Sequence, residues 1–291
     1  ANVGLGGKRQ VALHAALAAA YWGQKQAEPA VTHYAEAAKL DPVYPRFKAY
    51  FEVANAAKLP ATAMQPMFDL FEQETFPAIE TATIIGYFAA AKARDKKTTE
   101  AAALALRAAR IFPTVHQSPR KYVRWAVETN ASFPEIERNL KAIIDTPGRD
   151  PFYAHYALAF DLYRDRMKRT GLAQEAVRRM ITESPTDNSD MTSAMNWLLS
   201  AAQSEAIFNS DAKHIHDAAV KYVRLVAYRN FQRDWLKQNR GNKKWRSRVQ
   251  TMSRLAKDYA ALPEVKLWTD GAASGNKAAQ ARESLLAGTL T

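Results

Sequence analysis

The sequence contains no cysteine, and its 291 residues include only 11 glycines and 13 prolines. The absence of cysteine excludes disulfides and thiolate metal sites, although it does not identify a compartment. Few turn-forming residues combined with long alanine-rich runs are typical of an all-α protein. No apolar run approaches the roughly 18 residues that a membrane-spanning helix needs. We therefore expect an all-α chain without a transmembrane segment.

Familiar catalytic and cofactor motifs are also missing. The sequence has no nucleophile elbow, dinucleotide-binding fingerprint, HExxH zinc motif or EF-hand loop. His214 and His216 lie two positions apart, and a helix would point them in different directions, so joint metal binding is not expected. Asp161 and Asp165 would share a helix face and could do acid–base work. Basic residues that can neutralise them lie close by in the sequence: Arg164, Lys168 and Arg169.

From these absences we predict a protein that is not an enzyme and that uses no metal and no cofactor. An enzyme without familiar motifs stays open as a further alternative, because missing motifs do not exclude catalysis.

Residues 14–42 carry small and aromatic residues at the spacing of a two-helix unit. Ala18 and Ala30 stand where two antiparallel helices would cross, and only small side chains allow a close approach there. Pro42 would end the second helix, because proline lacks an N–H and clashes with the preceding turn. Larger side chains would fill the space on either side of the crossing: Leu17, Tyr21 and Tyr34.

This spacing resembles the tetratricopeptide repeat, whose pattern is W-x2-L-G-x2-Y, then A-x3-F, then a closing proline. His14 replaces the tryptophan, Ala18 the glycine and Tyr34 the phenylalanine. The resemblance implies a right-handed α-solenoid of helix pairs with a concave surface that binds peptides or proteins. It identifies no ligand.

Prolines recur along the chain at close to one repeat length. The intervals between them are 35, 36, 34 and 38 residues, at Pro42, Pro77, Pro113, Pro147 and Pro185, and the tetratricopeptide period is about 34 residues. One good match over residues 11–44 and four degenerate ones predict five helix pairs. The predicted organisation is a flexible arm (1–9), tetratricopeptide-like helical repeats (10–187), C-terminal helices (188–262) and a tail (263–291).

Several local signals predict where helices begin and end. Thr62 with Gln65, and Ser132 with Glu135, have the spacing of capping boxes, and Asp150 would cap a helix that starts at Pro151. The predicted C-terminal helices cover about 191–208, 211–239 and 243–262, with a short helix at 277–286.

The net charge of +12 is concentrated in one segment. Residues 221–257 contain twelve lysines and arginines and one acidic residue, Asp234. A solvated helix face normally carries acidic residues among the basic ones, because pairs four residues apart relieve repulsion. Clustered like charges repel one another unless an anionic partner compensates them. The segment therefore predicts a surface for an anionic partner.

Apolar and cationic residues alternate in this segment with a helical period. Tyr228, Phe231 and Trp235 would share one face of a helix, and a second stripe would run from Trp245 to Tyr259 on the next helix. We expect an antiparallel hairpin that buries the aromatic residues and exposes the cations. The predicted partner-binding residues are Arg229, Arg233, Lys237, Arg240, Lys243, Lys244, Arg246, Arg254 and Lys257.

We thus predict an all-α scaffold, a subunit of a larger protein assembly, that docks an anionic partner through a basic C-terminal helical hairpin. The alternative is an RNA-binding helical-repeat protein whose hairpin contacts phosphates. Anionic lipid headgroups would satisfy the same charge requirement. A basic, cysteine-free chain that begins with alanine is compatible with a mitochondrial matrix or a bacterial periplasm.

Overall fold

A computed structural model describes the backbone of residues 5–273 and the side chains of residues 6–269. In this part of the chain all regular secondary structure is helical and no β-strand is formed, which confirms the all-α prediction. The predicted helix at 277–286 lies outside the described residues. The helices are α1 (Leu5–Gly23), α2 (Ala27–Leu40), α3 (Tyr44–Ala56), α4 (Ala61–Glu72), α5 (Ala78–Arg94), α6 (Thr98–Ile111), α7 (Ser118–Glu128), α8 (Phe133–Ile144), α9 (Phe152–Tyr156), α10 (Thr170–Glu183), α11 (Ser189–Ser200), α12 (Glu205–Tyr222), α13 (Ala227–Asn239), α14 (Arg246–Ala260) and α15 (Pro263–Ala273).

The chain divides into two compact units, Ala1–Arg149 and Asp150–Thr291. The first unit holds α1 to α8 as four helix pairs in which neighbouring helices pack together. The second begins with α9, which continues as a π-helix over Ala157–Arg164 and packs against α10. The five predicted helix pairs are therefore present, and each of the five prolines follows the second helix of its pair.

The predicted helix crossing is found in the first pair. Ala18 of α1 and Ala30 of α2 are completely buried, and the two helices pack closely along their length. The larger residues on either side are half-buried: Leu17, Tyr21 and Tyr34. The small residues therefore have the packing role that the sequence predicted for them.

The turn inside each helix pair is built around one left-handed residue. These residues are Lys25, Lys58, Lys96, Asn130 and Lys168, with φ between 56° and 62°. The next residue donates its N–H at 2.8–2.9 Å to a carbonyl five or six positions earlier. This is the bond that closes a Schellman cap, which normally uses glycine at the left-handed position. The left-handed residue is lysine in four of the five turns and asparagine in the fifth. The glycine that usually marks such a turn is therefore missing from the sequence.

Helix starts are capped in two different ways. The hydroxyl of Ser132 accepts a hydrogen bond from the N–H of Glu135, which confirms Ser132 as the N-cap of α8. The Thr62 prediction is wrong, because α4 begins one residue earlier and its Ala61 N–H donates to the carboxylate of Asp95 at 2.6 Å. The cap thus comes from the following helix pair. The carboxylate of Asp150 accepts the N–H of Phe152, the first residue of α9, at 3.0 Å.

The C-terminal helices are more finely divided than their hydrophobic pattern predicts. The predicted helix 211–239 is two helices, α12 and α13, because Val223 adopts a left-handed conformation (φ 50°) that ends α12. The predicted helix 191–208 is also interrupted, since Ser204 caps a new helix start at α12. Two predicted irregular ends are partly helical: α1 begins at Leu5, and α15 occupies Pro263–Ala273.

Candidate anion-binding surface on the C-terminal helices

The aromatic residues of the basic segment lie in the interior of the second unit. Tyr228 and Phe231 are fully buried and Trp235 is 3% exposed, so α13 turns its aromatic face inward. Helix α14 packs against α13 and buries Met252 and Tyr259. The rings are therefore used for packing, as the sequence pattern predicts.

Arg224 contributes nothing to the surface although it belongs to the basic segment. Its side chain is completely buried, and its guanidinium donates hydrogen bonds to the carbonyls of Ile181 (2.6 Å) and Ser184. Burial lowers the pKa of Arg224 to about 10, because a charged guanidinium loses its hydration there. This arginine ties the loop between α12 and α13 to the end of α10.

Three further arginines are engaged by neighbouring side chains. Arg229 is half-buried and places its guanidinium 4.3 Å from the ring centre of Trp268 on α15. Arg233 pairs with Asp234 at 2.8 Å, and Arg248 pairs with Glu205 at 3.1 Å. Arg229 and Arg233 were both predicted to bind the partner; Arg229 is half-buried against Trp268, whereas Arg233 pairs with Asp234 and stays exposed.

The other seven predicted residues are exposed, and in the described part of the chain none of them forms an ion pair. We call them the cationic surface: Lys237, Arg240, Lys243, Lys244, Arg246, Arg254 and Lys257. No acidic residue occurs in the sequence between the first and the last of them. Acidic neighbours stand only at the two ends of the set, where Asp234 lies three residues before Lys237 and Asp258 directly follows Lys257.

Three members of the cationic surface meet in one groove at the turn between α13 and α14. Arg240, Lys243 and Arg246 line it, and no carboxylate does. We call this the α13–α14 groove. The remaining lining residues are neutral: Gly241, Asn242, Val249 and Gln250. The side-chain Oδ1 of Asn242 accepts the backbone N–H of Lys244 at 3.1 Å, which orients the Asn242 side chain.

Trp245, which lies beside the groove residues in the sequence, already contacts two neighbouring side chains. Trp245 is stacked on Trp235, with ring centres 6.1 Å apart and an angle of 7° between the planes. The guanidinium of Arg248 lies 5.1 Å from the centre of the Trp245 ring. A nucleobase that stacks on Trp245 would compete with these contacts.

The acidic pair considered in the sequence is neutralised locally. Arg164 binds Asp165 at 2.6 Å, and this hydrogen bond lowers the pKa of the Asp165 carboxyl. Asp161 lies in the π-helix, where hydrogen bonds join residues five apart. The i,i+4 spacing that places two residues on one α-helical face therefore does not apply directly.

The two neighbouring histidines also serve separate contacts. His214 lies 2.9 Å from the hydroxyl of Thr182, while His216 lies 3.0 Å from the hydroxyl of Tyr228. In residues 6–269 no group of three or more histidine, aspartate or glutamate side chains could hold a metal ion.

One polar cluster in the first unit has no signal in the sequence. His116 and Gln117 are consecutive left-handed residues, with φ of 52° and 53°. The His116 ring packs 4.7 Å from the ring of Tyr87, whose hydroxyl donates to Glu52 at 2.9 Å. Burial lowers the pKa of His116 and the pKa of the nearby Lys121. Backbone strain and shifted pKa values often accompany functional sites, but here they belong to half-buried side chains that pack on one another, with Glu52 exposed at the edge.

No helix in the described part of the chain is both long and apolar enough to span a bilayer. No protein-family model matches this chain, and no curated protein matches it in sequence.

Proposed function

We propose that this protein is a non-catalytic helical-repeat scaffold, a subunit of a larger assembly, that docks an anionic partner through the cationic surface. Its helix pairs α1 to α8 are tetratricopeptide-like and stack as a right-handed α-solenoid, and α13 with α14 form a basic hairpin. The single observation that supports this proposal is the set of seven exposed cations without an ion pair among the described residues.

The charge arrangement is costly for the free protein. Seven like charges in a short segment repel one another, and this repulsion is relieved when an anionic surface approaches. Each exposed pair contributes only about 0–1 kcal/mol. Their combined field accelerates association and selects partners by charge. A large acidic surface on another subunit can interact with all seven cations at once.

RNA binding is the second candidate function, because the same seven cations could contact phosphates and release counterions. The contacts of Trp245 with Trp235 and Arg248 make this ring less open to the base stacking that single-stranded RNA binders use. We therefore place an acidic protein first and RNA second.

The test is affinity purification from the native source with two charge-matched variants. The surface variant replaces all seven cations of the cationic surface by glutamine. The control variant replaces seven exposed cations from turns elsewhere in the chain, where no ion pair is formed in the described residues: Lys25, Lys58, Lys96, Lys97, Arg166, Lys168 and Arg169. Both variants lose the same net charge.

We expect the wild type and the control variant to capture the same partner subunits after nuclease treatment, and the surface variant to lose them. Identical captured proteins from all three would contradict the proposal. Loss of the captured proteins on nuclease treatment of the wild type would favour the RNA-binding alternative.

A further inference from the structure

We propose that the α13–α14 groove binds an acidic peptide segment of the partner, in which carboxylates alternate with small apolar side chains. This inference rests on the proposed function and specifies the chemistry of its ligand. It depends on three features: the cations of the groove, its neutral lining residues, and the contacts that the neighbouring Trp245 ring makes with Trp235 and Arg248.

The cations of the groove suit carboxylates. Arg240 and Arg246 each offer a planar guanidinium, which binds a carboxylate through two parallel N–H···O bonds. Lys243 adds a third positive charge between them in the sequence. With no carboxylate in the lining, a ligand's carboxylates meet no internal competitor there.

The neutral residues favour a peptide over a chain of phosphates. The side-chain Oδ1 of Asn242 already accepts the N–H of Lys244, so the side-chain NH2 group of Asn242 remains to donate to a ligand carbonyl. Gln250 is exposed and offers both a donor and an acceptor. A peptide backbone presents both an N–H and a carbonyl at each residue, whereas the phosphodiester groups of RNA only accept and its donors lie on the riboses and bases.

Val249 supplies an apolar contact in the same groove. Its side chain is half-buried and lines the groove beside the cations. An apolar ligand side chain that covers it is removed from water, which a phosphodiester does not provide. The ring of Trp245 already contacts Trp235 and Arg248, so a nucleobase would compete with these neighbours for it.

The experiment measures fluorescence anisotropy with three labelled probes and the full-length protein. The first probe is a peptide of alternating glutamate and valine. The second is the same peptide with glutamine in place of glutamate. The third is an oligouridylate with the same number of negative charges as the first. Titrations at two salt concentrations separate charge from other contributions.

Four variants accompany the wild type. The groove variant carries Arg240→Glu, Lys243→Glu and Arg246→Glu. The outer variant carries Lys237→Glu, Arg254→Glu and Lys257→Glu, which belong to the cationic surface but do not line the groove. The third variant is Val249→Thr. A matched control carries Arg166→Glu, Lys168→Glu and Arg169→Glu, three exposed cations at the turn before α10.

We expect the glutamate–valine peptide to bind more tightly than the other two probes. The groove variant should lose at least about tenfold in affinity, and the outer variant about threefold or less, since reversed charges act most strongly at contact distance. Val249→Thr should lower the affinity for the glutamate–valine peptide without changing how that affinity depends on salt concentration. The control variant should bind the peptide like the wild type. Circular dichroism checks that each variant is folded.

Two results would overturn the inference while the proposed function stands. One is oligouridylate binding more tightly than the peptide, with an affinity that the groove variant loses, because the groove would then bind phosphates. The other is a larger loss in the outer variant than in the groove variant, because the ligand would then lie elsewhere on the cationic surface. Failure of all three probes to bind, together with unchanged capture of partners by the seven-glutamine variant, would overturn both proposals.

Discussion

The carboxylate of Asp187 accepts the backbone N–H of Ala227 at 2.6 Å, forty residues further along the chain. Its other oxygen accepts the N–H of Val226 at 3.0 Å. A residue between α10 and α11 therefore caps the start of α13, the helix on which the cationic surface begins. The buried Arg224 strengthens the same junction by binding carbonyls at the end of α10.

Asp187→Ala should lower the free energy of unfolding by about 1–3 kcal/mol, because two backbone N–H groups at a buried position lose their acceptor. Thermal unfolding followed by circular dichroism measures the effect. The control is Asp217→Ala, an exposed residue paired with Lys213, which should change stability by less than about 0.5 kcal/mol. Equal melting temperatures for both variants would mean that Asp187 does not cap α13.

Lys58→Gly should raise the free energy of unfolding by about 0.5–1 kcal/mol. Lys58 is exposed and left-handed, a conformation that costs a residue with a Cβ atom more than it costs glycine. The matched control is Lys48→Gly in the middle of α3, where glycine should be destabilising by about 1 kcal/mol. The midpoints of chemical denaturation of the two variants should therefore shift in opposite directions. A shift of both midpoints in the same direction would contradict the left-handed conformation of Lys58.

Gly86→Ala should destabilise the first unit by about 1–3 kcal/mol through overpacking. A Cβ atom on Gly86 would lie 2.8 Å from the Cδ2 atom of His116, closer than side chains approach one another. Gly171→Ala is the control, because nothing lies within 4 Å of its Cβ position. The double variant Gly86→Ala with His116→Ala should recover part of the loss, and strict additivity of the two changes would rule out this contact.

His116→Asn should make the stability of the protein less dependent on pH. Burial lowers the folded-state pKa of His116, with Lys121 and Lys48 adding to this effect and Glu52 opposing it. The unfolded state therefore binds a proton more readily, so the stabilisation is complete above about pH 6.5 and is lost as the pH falls towards the folded pKa.

Asparagine is chosen for that variant because it tolerates the left-handed backbone of His116. Melting temperatures from pH 7.5 to pH 5.0 give the measurement, and the wild type should lose more stability over this range than the variant. His155 and His216 have pKa values lowered in the same direction and stay in both proteins. Identical pH profiles would show that His116 does not titrate as its burial implies.

The helix pairs could be predicted from the sequence because their signals are local. The proline spacing marks the ends of the pairs, and alanine at the crossing points of α1 and α2 explains their close packing. The turns inside the pairs could not be predicted, since lysine takes the left-handed position that glycine usually marks. The division of 211–239 into two helices depends on Asp187 and Arg224, whose partners lie about forty residues away.

The cationic surface was predictable only in part. Helical periodicity correctly identified the buried aromatic residues of α13. It could not reveal that Arg229 packs on Trp268, because this contact depends on α15 folding back onto α13, a segment predicted to be a tail. The α13–α14 groove depends on the geometry of the turn at residues 240–246, which charge counting does not describe.

The cap on α4 has a consequence for the order in which the chain matures. The N–H of Ala61 is bound by Asp95, and the carbonyl of Leu59 by Arg94, so the start of α4 is completed by residues about one repeat later. During synthesis at about 5–20 residues per second, this interval of 34 residues takes about 2–7 seconds to be made. Throughout that time the start of α4 lacks these two partners, so this helix pair reaches its final state only after the chain has been made as far as Asp95.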